Sequence, residues 1–109
     1  QMKKQNSGTI VNIVSTAGLI GKATESVYCA SKFGVKGFTE SLVVELTGTP
    51  ISVFAAYMGG MNTDFWAGIF DEDKTSKIMN PEDIAEIIIE NIKPRKNISI
   101  PEIIIKNIK

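Results

Sequence analysis

Two short and almost continuous apolar runs place the strongest constraint on how this chain can fold. The first extends from Gly8 to Ser15 and the second from Ile51 to Tyr57, and glycine, proline and polar residues flank both. Apolar runs of this length that lack strict alternation are typical of strands covered on both faces of a parallel sheet. We therefore expect a parallel sheet, whose strands need long crossover connections rather than tight hairpins.

The segment between the two runs has the pattern of a long helix. We predict this helix from Val27 to about Leu46, and Gly48 and Pro50 are suited to end it. Its apolar residues at helical spacing are Phe33, Phe38, Leu42 and Val43. A helix of this length is the kind of crossover that two neighbouring parallel strands require.

A second helix is predicted after the second run, beginning at Pro81, because Asn80 can cap it and proline suits the first turn. Its apolar face comprises Ile84, Ile87, Ile88 and Ile92. Residues 97–100 are predicted as a third short strand, which Pro101 either ends or places at a sheet edge, and residues 103–108 could extend it. The alternation of strands and helices predicts an α/β fold with three parallel strands and right-handed crossovers.

The composition argues against several classes of function. Twelve basic and twelve acidic residues give a formal net charge of zero, so we expect no nucleic-acid partner. The chain has no histidine and one cysteine, so neither a zinc site nor an internal disulfide is expected. Cys29 is predicted to be a small buried helix residue, and a lone cysteine fits a reducing cytoplasm. No apolar run approaches membrane-spanning length, so no membrane partner is expected.

A serine, a tyrosine and a lysine stand at a spacing that indicates redox chemistry. Ser15 ends the first apolar run, Tyr28 follows thirteen residues later, and Lys32 follows after four more. A spacing of four on a helix places the phenol and the ammonium on one face. A cation beside a phenol favours the phenolate, so the pair can donate and accept a proton as an alcohol and a carbonyl interconvert. A serine-hydrolase mechanism is not expected, because there is no histidine to activate Ser15.

These motifs together resemble those of the short-chain dehydrogenase/reductase family. The resemblance is carried by Asn12 to Gly18, by Tyr28 to Lys32, and by Met58 to Thr63 after the second strand. It implies that residues 1–109 form one partial domain, the C-terminal half of a Rossmann-like, doubly wound parallel sheet. Family members are typically more than twice as long, and their first half carries a glycine-rich dinucleotide fingerprint that this sequence lacks.

The resemblance also implies roles for individual residues. Tyr28 would be the catalytic acid and base, Lys32 would hold the nicotinamide ribose and support the phenolate, and Ser15 would orient the substrate oxygen. The implied cofactor-binding residues are Tyr28, Lys32, Met58, Gly59, Met61 and Thr63. Asn12 is expected to be structural and to bond local backbone. The aromatic residues between positions 65 and 70 either form a substrate lid or pack on the core, and the sequence favours neither.

The function implied is that of an oxidoreductase that transfers hydride between NAD(P)H and a small-molecule carbonyl or secondary alcohol. NADP is somewhat favoured over NAD, because the segment from Asn80 to Glu102 resembles general reductases that often prefer NADP. We expect the 109-residue chain alone to be inactive, since the dinucleotide fingerprint is missing. The alternative is a catalytically inactive, truncated remnant that acts only as a packing or dimerisation module. A homo-oligomer formed through the Tyr–Lys helix is expected, where Gly34 and Gly37 would allow close packing.

Overall fold

One three-stranded parallel sheet forms the centre of the computed structural model, which describes residues 1–108. The strands are β1 (Gly8–Ser15), β2 (Ile51–Met58) and β3 (Glu102–Ile105). The helices are α1 (Met2–Gln5), α2 (Ser26–Glu45), α3 (Glu72–Thr75) and α4 (Pro81–Ile92). Short 3-10 turns span Thr16–Gly18 and Asp64–Trp66. The predicted α/β class with three parallel strands is therefore confirmed.

The three strands end together at one edge of the sheet. β2 is central, with β1 on one side and β3 on the other. At the carboxyl end, Ser15 of β1 lies beside Met58 of β2, which in turn lies beside Ile105 of β3. The first strand has the predicted bounds, and the second is one residue longer than predicted. Open parallel sheets bind ligands at this carboxyl edge, so we look for the functional site there.

The prediction of a third strand at residues 97–100 is wrong, because the strand follows Pro101 instead of ending there. Asn97 has a left-handed backbone with a φ of 61°, which interrupts an extended segment at its first residue. Pairing begins where the carbonyl of Pro101 accepts a hydrogen bond of 3.0 Å from the N–H of Ala55. Since proline has no N–H to donate, it suits the position just before the ladder.

Helix α2 covers one face of the sheet with small and polar side chains. Cys29 and Thr39 are its buried residues, which confirms the prediction for Cys29. The predicted apolar residues Phe33, Phe38 and Val43 are instead 44%, 58% and 41% exposed. The helix is rotated so that its small residues meet the strands, and its aromatic residues therefore face away from this chain's own core.

Helix α4 covers the opposite face and forms the larger of the two core clusters. Phe54, Ala56 and Met58 alternate along β2 and pack against Ile84 and Ile88 of α4. The prediction that α4 begins at a proline is confirmed, with that proline in the first turn. Two details are wrong: the Asn80 side chain makes no capping hydrogen bond, and Ile87 is 40% exposed.

Candidate active site

Ser15 is held where β1 turns away from the sheet. Its backbone is still extended, with φ −115° and ψ 157°, and the next three residues form a 3-10 turn. The Ser15 Oγ accepts a hydrogen bond of 3.1 Å from the N–H of Ala17, and so caps that turn. A serine hydroxyl that accepts one bond still has its own hydrogen to donate. The cap therefore leaves Ser15 with a free donor at the carboxyl edge.

Gly18 brings this turn against helix α2. A Cβ at Gly18 would lie 2.9 Å from the carbonyl oxygen of Lys32 and 3.2 Å from a methyl carbon of Val14. Only a residue without a side chain therefore fits between strand and helix at this point. Because of this contact, the turn that carries Ser15 packs on the same part of α2 that carries Lys32. The motif from Asn12 to Gly18 includes this glycine. The sequence alone does not show that glycine is needed there for the close approach of the turn to α2.

Tyr28 and Lys32 lie on the same face of α2, one turn apart. The Lys32 Nζ lies 5.6 Å from the centroid of the Tyr28 ring, within the range of a cation–π contact. Tyr28 is 46% exposed, so its ring is accessible to a small molecule. This is the arrangement that the spacing of four predicts, whereas the catalytic roles of both residues stay predictions.

Asn12 ties the middle of β1 to the middle of α2. Its Nδ2 donates a hydrogen bond of 2.7 Å to the Oγ1 of Thr39, whose hydroxyl donates one of 2.7 Å to the carbonyl of Val35. Thr39 is only 4% exposed, so its hydroxyl needs partners inside the protein. The structural role predicted for Asn12 agrees with this contact, but its partner is a side chain 27 residues away rather than local backbone.

The segment from Met58 to Thr63, here called the glycine loop, continues β2 beyond the sheet. Gly59 donates its N–H to the carbonyl of Ile105 at 3.0 Å, which extends the pairing with β3 by one bond. The Met58 side chain is buried in the core, and Met61 packs against the same cluster. Thr63 is exposed and precedes the second 3-10 turn. All four residues predicted to bind cofactor in this loop thus lie at or just beyond the carboxyl end of β2, but both methionine side chains are directed to the core.

An aromatic group follows the glycine loop in the segment 62–78. Trp66 contacts Phe65 edge-on, with ring centroids 4.9 Å apart, and stacks on Phe70 at 4.6 Å. The Trp66 Nε1 donates to the carbonyl of Met61 at 2.9 Å, and Lys74 Nζ lies 3.7 Å from the Phe70 ring centroid. Phe65 is 71% exposed. The sequence left open whether these aromatic residues form a lid or pack on the core. The exposure of Phe65 favours a segment on the surface, and residues 62–78 are here called the aromatic flap.

The candidate site is an open edge of the sheet. A cavity of about 450 Å³ does exist, but its lining includes Thr9, Ile51 and Pro94, which places it at the amino-terminal edge. Residues 1–108 contain no cluster of His, Cys, Asp and Glu that could hold a metal ion. None of the helices between residues 1 and 108 has the length and hydropathy of a membrane-spanning segment.

A parallel sheet with chemically active side chains at its carboxyl edge is the architecture of doubly wound α/β proteins. The family model of the short chain dehydrogenases matches residues 1–74. The chain therefore belongs to the short-chain dehydrogenase family of oxidoreductases.

Individual relatives agree with this assignment. The chain is 32% identical to an NADP-dependent 3-hydroxy acid dehydrogenase of Schizosaccharomyces pombe, over 93% of this chain and 42% of that protein. It is 29% identical to the 3-oxoacyl-acyl-carrier-protein reductase FabG of Vibrio harveyi, over 81% of this chain and 39% of that protein. A crystal structure of a short-chain dehydrogenase/reductase from Vibrio parahaemolyticus is similar with a TM-score of 0.74 and 38% identity, over 91% of this chain and 42% of that one. The chain thus spans 39% to 42% of the length of these relatives.

Proposed function

We propose that this chain carries the proton-transfer residues of an oxidoreductase that moves hydride between NAD(P)H and a carbonyl or secondary alcohol. The observation that carries this proposal is the juxtaposition of two local structures. Tyr28 and Lys32 share one helix face, and the turn after Ser15 packs on the backbone of Lys32. These two contacts support the proposal that Ser15, Tyr28 and Lys32 act together at the carboxyl edge of the sheet.

In the reductive direction, Tyr28 donates its phenolic proton to the oxygen of the carbonyl as that carbon is reduced. The ammonium of Lys32 stabilises the phenolate that results. Ser15 donates its free hydroxyl hydrogen to the same substrate oxygen, which orients the substrate and withdraws charge from the carbonyl. In the oxidative direction the phenolate takes the proton back from the alcohol.

The residues present fit the nicotinamide end of a dinucleotide. Lys32 offers a cation, Thr63 an exposed hydroxyl, and Gly59 a backbone without a side chain at the edge. Met58 and Met61 would contribute through their backbone, because their side chains pack in the core. Bound NAD(P)H would supply the hydride. NADP is favoured over NAD by the name of the fission-yeast relative, which is NADP-dependent.

The substrate that the relatives favour is a 3-oxo or 3-hydroxy acyl compound, since the names of two of them specify this oxygenation pattern. The exposed Phe65 and Ile69 beside the glycine loop support an apolar chain on the substrate. Cys29 is a lone, buried cysteine, and such a cysteine fits a reducing, cytoplasmic compartment.

The test uses a fusion in which the chain replaces the segment that it matches in its Vibrio parahaemolyticus relative, which is 42% of that protein. NADPH oxidation is followed with a panel of ketones and 3-oxoacyl thioesters. Tyr28→Phe keeps the ring but removes the proton, so turnover should fall by about 10²–10⁴-fold with little change in cofactor affinity. Lys32→Ala should impair both. Equal turnover in the parent fusion and Tyr28→Phe would refute the mechanism.

A second candidate role is a packing module that acts through α2. The outward face of α2 carries exposed Phe33 and Phe38. Apart from the helix's own neighbouring backbone, nothing in residues 1–108 lies within 4 Å of a Cβ placed on Gly34 or Gly37. Such a surface suits a second copy of the helix, with the glycines allowing close approach. We therefore propose that the protein forms a homo-oligomer through this face, whether or not it is active.

The oligomer is tested by light scattering on the chain, which has a mass of 11.9 kDa. We expect the parent chain to have a mass that is a multiple of this value and Phe38→Lys to have the mass of the monomer. The reason is that the oligomer would bury the lysine charge without a partner. The matched control is Ile89→Lys on α4, since Phe38 and Ile89 are both 58% exposed. Dissociation by both variants, or by neither, would contradict an interface on α2.

A further inference from the structure

The segment 62–78 is closed at its base. The N–H of Asn62 donates a hydrogen bond of 2.7 Å to the carbonyl of Met79. Met61 and Met79 also form a parallel bridge, so the two ends of the segment lie side by side. The aromatic flap between them therefore leaves and re-enters the fold at one point, near the end of the glycine loop.

Asn107 lies just beyond β3, and its side chain bonds the two chain segments that form this base, one at Gly60 and the other at Met79. Its Oδ1 accepts a hydrogen bond of 2.8 Å from the N–H of Met79. Its Nδ2 donates one of 3.0 Å to the carbonyl of Gly60. A primary amide presents a donor and an acceptor in one plane, and a carboxylate offers only the acceptor. The site therefore uses both halves of the asparagine side chain.

The same side chain explains the glycine at position 59. A Cβ on Gly59 would lie 3.2 Å from the Nδ2 of Asn107, closer than an ordinary van der Waals contact. Two hydrogen bonds hold that amide in place, so it cannot easily give way. The φ of Gly59 lies outside the left-handed region, so a left-handed backbone is not the reason for glycine at this position. The steric need for glycine there comes from Asn107.

We propose that Asn107 is a positioning residue that fixes the glycine loop and the base of the flap relative to β3. Its consequence for catalysis rests on the function proposed above. With both ends of 62–78 held, the backbone of Gly59 and Gly60 keeps one orientation towards the nicotinamide. Asn107 acts through this backbone and does not touch the reacting atoms.

The first test is amide hydrogen exchange by NMR on the 109-residue chain. Asn107→Ala should accelerate exchange at Met79 by about fivefold or more, while amides in the β1–β2 ladder keep their rates. Asn107→Asp keeps the acceptor, so Met79 should stay protected in that variant. The matched control is Asn91→Ala, which removes a partly exposed asparagine whose side chain bonds one carbonyl of its own helix. Unchanged exchange at Met79 in Asn107→Ala, or equal acceleration throughout the chain, would overturn the proposal.

A double-mutant cycle gives an independent test that needs no NMR assignment. Gly59→Ala should lower the thermal midpoint by about 4 °C or more in the parent chain. In the Asn107→Ala background the same change should have little effect, because the opposing amide is gone. An equal shift in both backgrounds would show that Asn107 is not what requires glycine.

A third measurement tests the role of Asn107 in a way that can be distinguished from a failure of the proposed enzymatic function. In the active fusion, Asn107→Ala should raise the KM for NADPH by about fivefold or more and lower kcat less, and Asn107→Asp should restore part of the affinity. An unchanged KM would mean that Asn107 does not position the cofactor-facing loop. If the parent fusion is inactive, the proposed function fails, and the exchange rates and the double-mutant cycle still decide the role of Asn107.

Discussion

Ser15 and Tyr28 reach the candidate site by different physical routes. Tyr28 and Lys32 are neighbours because any helix places residues four apart on one face. Ser15 is placed by the end of β1, by its cap on Ala17 and by the close contact of the following turn with α2. The pair on α2 thus depends on local structure, whereas the position of Ser15 depends on the packing of a strand against a helix.

Tyr57 is the largest fully buried side chain within residues 1–108. Its ionisation makes the free energy of unfolding depend on pH in the alkaline range. Burial raises the pKa of Tyr57 above its usual value, and the charge of Glu102 adds to the effect. The folded state therefore holds this proton more tightly than the unfolded state. The contribution is fully present below about pH 10, the unfolded pKa of tyrosine, and is lost as the pH rises through the higher pKa of the folded state.

We therefore predict that Tyr57→Phe flattens the loss of stability above about pH 10, because phenylalanine has no proton to release. The measurement is urea unfolding between pH 8 and pH 11. Tyr28→Phe serves as the control, since it removes a half-exposed hydroxyl on the surface of α2. Identical pH profiles for the parent chain and Tyr57→Phe would show that this tyrosine does not contribute.

At the level of elements, the junction between β1 and α2 holds the candidate site together. Asn12 and Thr39 fix the middle of the two elements, and Gly18 fixes the end where Ser15 and Lys32 lie. The helix face that meets the sheet is otherwise poor in large apolar residues. Close approach and a partly buried hydrogen bond, rather than large apolar side chains, thus define how this helix is aligned.

We predict that Gly18→Ala damages both stability and activity. The new methyl group would meet the Lys32 carbonyl at 2.9 Å, and backbone cannot move aside as a flexible side chain can. Overpacking of this kind costs about 1–3 kcal/mol of unfolding free energy, and it should also lower turnover in the fusion by displacing Ser15.

The matched control is Gly21→Ala, because nothing lies within 4 Å of a Cβ at Gly21. Urea unfolding of the chain and turnover of the fusion are measured for both variants. If Gly18→Ala behaves as Gly21→Ala does, the close contact between the turn and α2 does not organise the site.

As a whole, the molecule is more extended than a self-contained domain of its length. Its radius of gyration is 15.9 Å, against about 13 Å expected for a compact domain of this size. Ile13 on β1 and Phe38 on α2 are both more than half exposed. Apolar surface of this extent is typical of a face that packs against further structure.

We predict that the 109-residue chain alone shows no saturable binding of NADPH and no carbonyl reduction. A dinucleotide pyrophosphate is usually held by a glycine-rich turn at a helix N-terminus, and the sequence contains no such motif. The measurement is a titration with NADPH that follows nicotinamide fluorescence. The active fusion is the positive control, and tight binding by the chain alone would mean that the site is more complete than we propose.

Local physics accounts for what the sequence determines by itself. The apolar runs specify β1 and β2, and Pro81 marks the start of α4. Gly48 and Pro50 mark where α2 has to end. The spacing of Tyr28 and Lys32 places them on one face without any tertiary contact. These features depend on residues that are close in the chain, so one sequence contains the information needed to predict them.

Tertiary structure decides the features that depend on residues far apart. β3 is set by the bond between Ala55 and Pro101, and not by the apolar pattern at residues 97–100. Helical periodicity identifies an apolar stripe on α2, but packing directs Phe38 outwards and Thr39 inwards. Asn107 acquires its partners only when β3 and the glycine loop meet. In each case the deciding contact joins elements whose relative position follows from sheet register and packing, which local propensity does not encode.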